Sequence, residues 1–399
     1  MERFALSRMK EWKENENRKP LIIRGARQVG KTWIMKTFGQ QYFEKTAYVN
    51  FDNNARMKQV FEGDLDIERL VLSISAETGV SIEAENTLII FDEVQEVPKA
   101  LTSLKYFYEN APQYAIVAAG SLLGVALHQG TSFPVGKVDF LDLYPLNFRE
   151  FLCAMGEKQF VSMLDSCDTQ MVTVFKTKYI ERLREYYFVG GMPEVVKDFS
   201  EKKDYNRVRA IQKNLINYYQ QDFSKHAEIK LVPRLNLVWN SIPMQLAKEN
   251  KKYIYGQVRE GSRAKDFELA IQWLLDFGLI HKVQRIQKPD LPLKAYIDFD
   301  AFKLFLVDIG LLIAMTDLDA KVIIEGNKIF TEFKGSLTEQ YILQQLISDV
   351  GVIPYYYSTQ NSKGEIDFLV QGKTSVIPIE VKAEENLKAQ FENKSGEFD

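Results

Sequence analysis

The first 150 residues carry five short apolar runs: Leu21–Arg24, Ala47–Phe51, Thr87–Phe91, Tyr114–Ala119 and Val138–Leu143. Helical spacing lies between some of them, as at Lys99–Glu109. Strand alternating with helix predicts an α/β domain on a parallel sheet. Ahead of it, Ala5, Met9 and Trp12 recur at i, i+4 and i+7, and Leu6 widens the same face. A short amphipathic helix is expected to pack on this domain. Beyond residue 150 the spacing is helical, with Phe160, Met163, Leu164, Val172 and Phe175 on core positions, until Gly190-Gly191 and Pro193 break the run. Helices are expected at Leu235–Glu249 and Lys265–Phe277 around a short apolar strand, Tyr253–Val258. A strand at Leu279–Ile286 then leads to a turn at Lys288-Pro289-Asp290. Helices followed by a β-ribbon suit a winged helix-turn-helix. The last third predicts a helix at Gly335–Leu346 and strands at Val352–Ser358, Gly364–Val370 and Ser375–Lys382. Four parts are expected: an α/β domain at 1–150, a helical lid-like segment at 151–205, a winged-helix-like domain at 206–295 and a second α/β domain at 296–399.

The first apolar run leads directly into chemistry. LIIRGARQVGKT, Leu21 to Thr32, has the P-loop form G-x-x-x-x-G-K-[ST] between a strand and a helix. Gly25 and Gly30 allow a tight turn that brings backbone N–H groups close to phosphate oxygens, with Ala26, Arg27, Gln28 and Val29 forming the cradle between them. Lys31 is placed to reach the β- and γ-phosphates, Thr32 to ligate Mg²⁺ through its hydroxyl, and the following helix adds its positive end. The third run ends TLIIFDEVQ. Asp92 at the strand's end would hold the Mg²⁺ of Mg-ATP, and Glu93 would polarise the attacking water; a solvated turn is the bland alternative. The fourth run ends at Ala118-Ala119-Gly120-Ser121, where additional-strand P-loop ATPases use a polar residue to sense the γ-phosphate. Ser121 is the candidate. A cation for the transition-state charge is harder to place: Arg27, Lys137 and Arg149 are all within range of the motifs, and none stands out.

Composition narrows the classes. The chain has 399 residues, enough for two or three domains, and its 46% hydrophobic and 26% charged residues are those of an ordinary soluble globular protein. Cys153 and Cys167 are the only cysteines and there are three histidines, which disfavours both a disulfide framework and a Cys/His zinc site. No apolar run reaches transmembrane length and the charged start lacks a signal-peptide core, so a cytoplasmic protein without a membrane partner is expected. The formal net charge of −3 gives no whole-chain attraction to nucleic acid. Residues 205–265 differ: twelve Lys/Arg stand against four Asp/Glu, a net +8, although Asp204, Asp266 and Glu268 sit just outside. This island makes DNA, or another protein docked on the winged-helix region, a candidate partner. An oligomer is compatible with the sequence.

GARQVGKT, LIIFDEVQ, AAGSLLG and LYPLNFREFL resemble the bacterial and archaeal AAA-type ATPases fused to a C-terminal domain of unknown function called DUF4143. YFVGGMPEVV (Tyr187–Val196), QDFSKHAEI (Gln221–Ile229) and FLVDIGLL (Phe305–Leu312) extend the likeness over nearly the whole chain. The resemblance implies an additional-strand, AAA-like P-loop fold that binds ATP and Mg²⁺. The family commonly has Gly-Arg before the Y-P-L segment, where this chain has Gly136-Lys137. In the last third, Asp367, Glu380 and Lys382 form D-x₁₂-E-V-K, which resembles the PD-(D/E)XK nuclease core of restriction endonucleases, without the usual proline before the Asp. Strand alternation would put Glu380 and Lys382 on one face, Asp367 on the neighbouring strand would complete a Mg²⁺ site, and Glu339 would add or orient a ligand. Such cores also bind without cutting. Three functions are therefore open: an ATPase that switches a nuclease-like or nucleic-acid-binding module, an ATP-gated metal-dependent nuclease, and a nucleotide-switched DNA- or protein-binding module. Ala383–Asp399 is polar and closes no domain, so a truncated or differently completed C-terminal fold is expected.

Overall fold

A computed structural model describes residues 1–120, 133–248, 251–324, 331–359 and 364–382. All five apolar runs of the N-terminal part are strands: β1 (Leu21–Arg24), β2 (Lys45–Asn50), β3 (Thr87–Asp92), β4 (Ala115–Ala119) and β5 (Asp139–Asp142). They pair in parallel in the order β2-β3-β4-β1-β5. β4 therefore lies between β1 and β3, the arrangement of an additional-strand P-loop sheet. Alternation along each strand splits the apolar residues between two cores. Leu21 and Ile23, Leu88 and Ile90, and Val117 and Ala119 face one side, while Ile22, Ile89, Phe91 and Ile116 face the other. The N-terminal helix, Ala5–Glu14, buries Met9 and Trp12 as expected.

The first of these cores does not stop at the sheet. It runs through Tyr186, Tyr219, Phe223 and Trp239 of the helical middle to Phe305 and Phe368 near the C terminus. The helical run Lys176–Val189 ends at Gly190, and a new helix starts at Pro193. Two longer helices follow, Tyr205–His226 and Val232–Leu246, then a single turn at Tyr255–Val258 and a helix at Ala264–Asp276. The strand expected at Tyr253–Val258 is reduced to one bridge, Tyr253 N–H to the Phe302 carbonyl at 2.8 Å. From Tyr255 the chain turns helical, and Gly256 inside the segment is a weak strand former.

The second sheet has the order β10-β9-β8-β6-β7. It joins β6 (Ile280–Ile286) and β7 (Ile297–Leu306), an antiparallel pair, to β8 (Tyr355–Ser358), β9 (Glu365–Gln371) and β10 (Val376–Ile379). β6 pairs with β8 in parallel, and the helix Thr331–Gln345 lies between β7 and β8 in the chain. The sheet thus runs across the boundary expected at 295/296.

Three glycines seal the joint between the parts. A Cβ on Gly190 would lie 2.2 Å from Asp308 Oδ1, one on Gly191 2.1 Å from the Leu146 carbonyl oxygen, and one on Gly310 2.6 Å from the Val189 carbonyl oxygen. Asp308 is buried there. It accepts from Gly191 N–H at 2.6 Å and Leu311 N–H at 3.1 Å, capping the Ile309–Met315 helix, and from Gln344 Nε2 at 3.3 Å.

Candidate functional site: a phosphate loop clamped by the helical middle

The loop between β1 and the helix Lys31–Tyr42 needs its glycines for two reasons. Gly25 has φ +144°, and a Cβ there would come within 2.1 Å of the Leu143 carbonyl oxygen on the neighbouring segment. Gly30 has φ +96° and leaves the helix N-terminus without a side-chain cap, so its first N–H groups are directed at the loop's concavity. Gln28 also takes a positive φ, 64°, a conformation that a non-glycine residue holds only when its surroundings fix it.

Those surroundings are hydrogen bonds to the loop's carbonyls. Lys31 Nζ donates to the Gly25 carbonyl at 2.8 Å and to that of Ala26 at 2.7 Å. Tyr219 OH donates to the Arg27 carbonyl at 3.0 Å, and Arg3 Nη1 to the Val29 carbonyl at 3.0 Å. Arg3 is itself fixed by Glu150 at 3.1 Å and by the Tyr144 carbonyl at 2.6 Å. On the outer side, Gly278 packs so closely that a Cβ would sit 3.1 Å from Ala26 N. Burial pulls the Lys31 ammonium down to about 8, with Glu93 and Asp92 opposing that shift and the Arg27 guanidinium adding to it.

β3 delivers the acidic pair to the same place. Thr32 Oγ1 donates to Asp92 Oδ2 at 2.7 Å, and Tyr48 OH donates to the same oxygen at 2.9 Å. Burial and the Asp92 carboxylate together push the Tyr48 phenol up, which keeps it a donor. Asp92 is buried, whereas Glu93 is half-buried with φ +51° and accepts from Gln95 Nε2 at 2.7 Å. The oxygen donors at Thr32 and Asp92 are of the hard type Mg²⁺ prefers, and two protein ligands leave room for water and phosphate oxygens. Arg27, Gln28, Gly30, Lys31, Thr32 and Glu93 line a cleft of about 750 Å³, closed on the far side by Pro193, Glu194, Tyr218 and Asp222. Arg27 Nη1 is ion-paired with Asp222 across that cleft.

Sequence reasoning named Gly25 to Thr32, Asp92 and Glu93, and the structure brings them together. Ser121 lies outside the described residues. Lys137 pairs with Glu109 at 3.0 Å, and Arg149 pairs with Asp165 and with Asp349; neither lines the cleft. Arg3, Tyr48, Tyr219, Asp222 and Gly278 were missed. Asp222 lies inside the QDFSKHAEI stretch, where the sequence marks it only as one of the four acidic residues of 205–265.

The C-terminal cluster is arranged differently from the expectation. Glu339 is buried and paired with Lys251, and its Oε2 lies 3.6 Å from Lys303 Nζ. Lys303 is fully buried and reaches Glu365 at 2.6 Å. Burial raises the Glu339 carboxyl, with Lys303 and Lys251 opposing that shift. Asp367 Oδ2 accepts Val381 N–H at 2.8 Å. That side-chain bond takes a donor the ladder would need, so β10 ends at Ile379. Glu380 and Lys382 lie beyond the strand instead of on one of its faces, and pair with each other at the surface. Among the described residues no three His, Cys, Asp or Glu side chains converge as a metal site.

A family model described as an AAA domain matches residues 17–152. Residues 17–152 are an AAA-type P-loop domain. Two domains of unknown function follow, DUF8612 over residues 180–322 and DUF4143 over residues 334–399. The chain thus joins an AAA domain to a C-terminal DUF4143 domain, and the clamp on the AAA domain's phosphate loop, Tyr219, Asp222 and Gly278, comes from the DUF8612 match. No curated protein matches the chain. Solved structures that it is similar to include the Walker-type ATPase PABY2304 of Pyrococcus abyssi, at 15% identity and a TM-score of 0.48, covering 79% of this chain and 95% of that one. The ORC1 protein of Aeropyrum pernix in complex with DNA is 13% identical with a TM-score of 0.30, covering 78% and 91%. The RuvB Holliday junction branch migration motor of Thermotoga maritima is 11% identical with a TM-score of 0.30, covering 69% and 87%. Among the described residues, no helix is long and apolar enough to cross a membrane.

Proposed function

We propose that this chain hydrolyses Mg-ATP in the cleft between its AAA domain and its helical middle, and that the nucleotide state is passed to the middle and C-terminal parts. The observation that carries the reading is the convergence of Lys31, Thr32 and Glu93 on one cleft, with Asp92 bonded to Thr32 at 2.7 Å beside it. Thr32 and Asp92 would hold the Mg²⁺, which supplies positive charge to the phosphate oxygens. Lys31 exchanges its carbonyl partners for phosphate oxygens. Glu93 orients a water and accepts its proton; the water oxygen bonds to the γ-phosphorus as the bond to the β–γ bridging oxygen breaks, leaving ADP and phosphate. Lys31→Ala should abolish ATP binding in equilibrium dialysis. Glu93→Gln should bind ATP normally and lose about 10²–10⁴ in turnover. Unchanged turnover in Lys31→Ala sinks the proposal.

Of the two readings for the rest of the chain, a nucleotide-switched binding module is better supported than an ATP-gated nuclease. Lys251 and Lys303 already neutralise Glu339 and Glu365, the service a divalent cation would perform in a nuclease core. For the partner, the order of helix Val232–Leu246, turn Tyr255–Val258, helix Ala264–Asp276 and the β6–β7 pair supports a winged-helix reading. Docking on protein suits it better than phosphate contact. Lys265, Glu268, Leu269 and Gln272 form the exposed face of the Ala264–Asp276 helix, which has no net positive charge. Arg207, Lys213 and Lys251 of the basic island are spent on Asp198, Asp317 and Glu339. A steep salt dependence of nucleic-acid binding would count against this choice.

A further inference from the structure

We propose that Arg27, inside the phosphate loop, is the arginine that stabilises the transferred phosphate, and that Asp222 of the Tyr205–His226 helix holds it away until ATP arrives. This rests on the ATP site proposed above. The transition state of phosphoryl transfer spreads charge over the γ-phosphate oxygens and calls for a guanidinium, from the same chain or another. Among the described residues lining the cleft, Arg27 is the only arginine. Other arginines of the N-terminal part are committed elsewhere: Arg3 to Glu150 and two carbonyls, Arg24 to Asp142, Arg149 to Asp165 and Asp349.

The geometry separates what is fixed in Arg27 from what can move. Its carbonyl is pinned by Tyr219 at 3.0 Å, so the backbone stays with the loop. Its side chain is one third exposed to the cleft, while the Asp222 carboxylate that it meets is nearly buried. Arg27 and Lys31 are near enough for the guanidinium to depress the lysine's charge. Two cations facing one cleft are best satisfied by an anion shared between them, and a triphosphate terminus is such an anion. Asp222 occupies one of those cations in its absence. The exchange replaces one oxyanion partner of Arg27 by another, so its charge-assisted hydrogen bond is kept. It leaves Asp222 as a nearly buried carboxylate without its partner, a costly state that a shift of the Tyr205–His226 helix would relieve. Arg27 contributes charge alone; the bonds made and broken are those of the hydrolysis described above.

The test uses the full chain as wild type, Lys31→Ala, Arg27→Ala, Arg27→Lys and Asp222→Asn. Steady-state turnover is measured beside the binding of Mg-ADP with and without aluminium fluoride, which mimics the phosphate in flight. Arg27→Ala should lose about 10³ in kcat, the low end for an arginine finger. Its Mg-ADP affinity should stay within about threefold of wild type, because only transition-state binding is removed. Aluminium fluoride should no longer tighten its ADP binding. Arg27→Lys should recover part of the rate, since a lysine keeps the charge without the fork. Asp222→Asn should keep the aluminium fluoride effect and hydrolyse ATP at least as fast as wild type. Loss of ADP affinity in Arg27→Ala in step with its rate would make Arg27 a structural part of the loop and overturn the proposal. Turnover within threefold of wild type in Arg27→Ala, with turnover abolished in Lys31→Ala, overturns the role of Arg27 alone. Wild-type protein that neither binds nor hydrolyses ATP overturns the site and this inference together.

Discussion

Arg3→Ala tests whether the loop is held by the N-terminal segment or merely lies beside it. The side chain is buried and makes three bonds, to Glu150 Oε1 at 3.1 Å, the Val29 carbonyl at 3.0 Å and the Tyr144 carbonyl at 2.6 Å. Removing one partner of a buried ion pair costs about 3–5 kcal/mol. Two effects lower that figure here. Glu150 keeps the Phe4 N–H at 2.7 Å and the Asn147 N–H at 3.2 Å, and the adjoining cleft of about 410 Å³ admits water to the vacated side. The expected loss is about 3 kcal/mol. With a urea m-value of about 2 kcal/mol/M for a unit of this size, the midpoint should fall by about 1.5 M. Equilibrium unfolding followed by the fluorescence of the four tryptophans, Trp12, Trp33, Trp239 and Trp273, reads this. ATP affinity should fall as well, because the Val29 carbonyl is released next to Gly30. Arg3→Ala/Glu150→Gln should recover part of the midpoint, since the stranded charge is then gone. A midpoint within 0.3 M of wild type, about 0.6 kcal/mol at that m-value, would refute a structural clamp.

Burial raises the Asp308 carboxyl to about 6, against four N–H donors, from Gly191, Leu311, Gln344 and Gly310, that oppose the shift. The fold therefore favours its protonated form, and that stability, about 3 kcal/mol at most, is present near pH 4 and lost as pH rises through 6. Unfolding midpoints of wild type and Asp308→Asn from pH 4 to 7 should show the downward slope only in wild type. Gly278 and Gly261 both have φ +75°, but only a Cβ at Gly278 meets the phosphate loop. Alanine should cost each about 1–2 kcal/mol in strain, while calorimetry should find ATP binding weakened only in Gly278→Ala. Lys303→Met leaves Glu339 and Glu365 short of a buried cation and should lower stability by about 3 kcal/mol, with Glu339→Gln partly restoring it. Full rescue of Lys303→Met by Mn²⁺ in a thermal melt would instead indicate a metal site.

The legible part of this molecule is the part whose reasons are local. The β1 loop announces itself because Gly25, Gly30, Lys31 and Thr32 act within one turn of chain, and β3 because its apolar run must be buried on both faces. Tyr219 and Arg3 are invisible by the same logic. Their acceptors are backbone carbonyls 192 and 26 residues away, and a carbonyl leaves no mark on the sequence. Charge counting failed for a related reason. The +8 of residues 205–265 shrinks once Arg207, Lys213 and Lys251 find Asp198, Asp317 and Glu339, all outside the window. Strand alternation correctly placed Asp367 on β9, yet could not foresee that its carboxylate would cap Val381 and end β10 before Glu380.

The clamp gives the nucleotide site a physical route to the rest of the chain. A phosphate loop held only by its own strand and helix could exchange ligands without disturbing anything distant. Here Tyr219 and Asp222 sit on a helix whose Gln212 bonds the Phe188 carbonyl at 2.7 Å and the Val189 carbonyl at 3.1 Å. Those carbonyls end the helix that turns at Gly190-Gly191, against Asp308. Gln344, on the helix that crosses to the second sheet, bonds both Asp308 at 3.3 Å and the Tyr186 hydroxyl at 2.9 Å. Contiguity alone does not make a signal; some element must have two states that the ligand can bias. The Arg27–Asp222 pair is that element, because a phosphate and Asp222 compete for the same guanidinium. Close packing at Gly190, Gly191 and Gly310 leaves little slack downstream, so a displacement of the Tyr205–His226 helix is passed on instead of being absorbed.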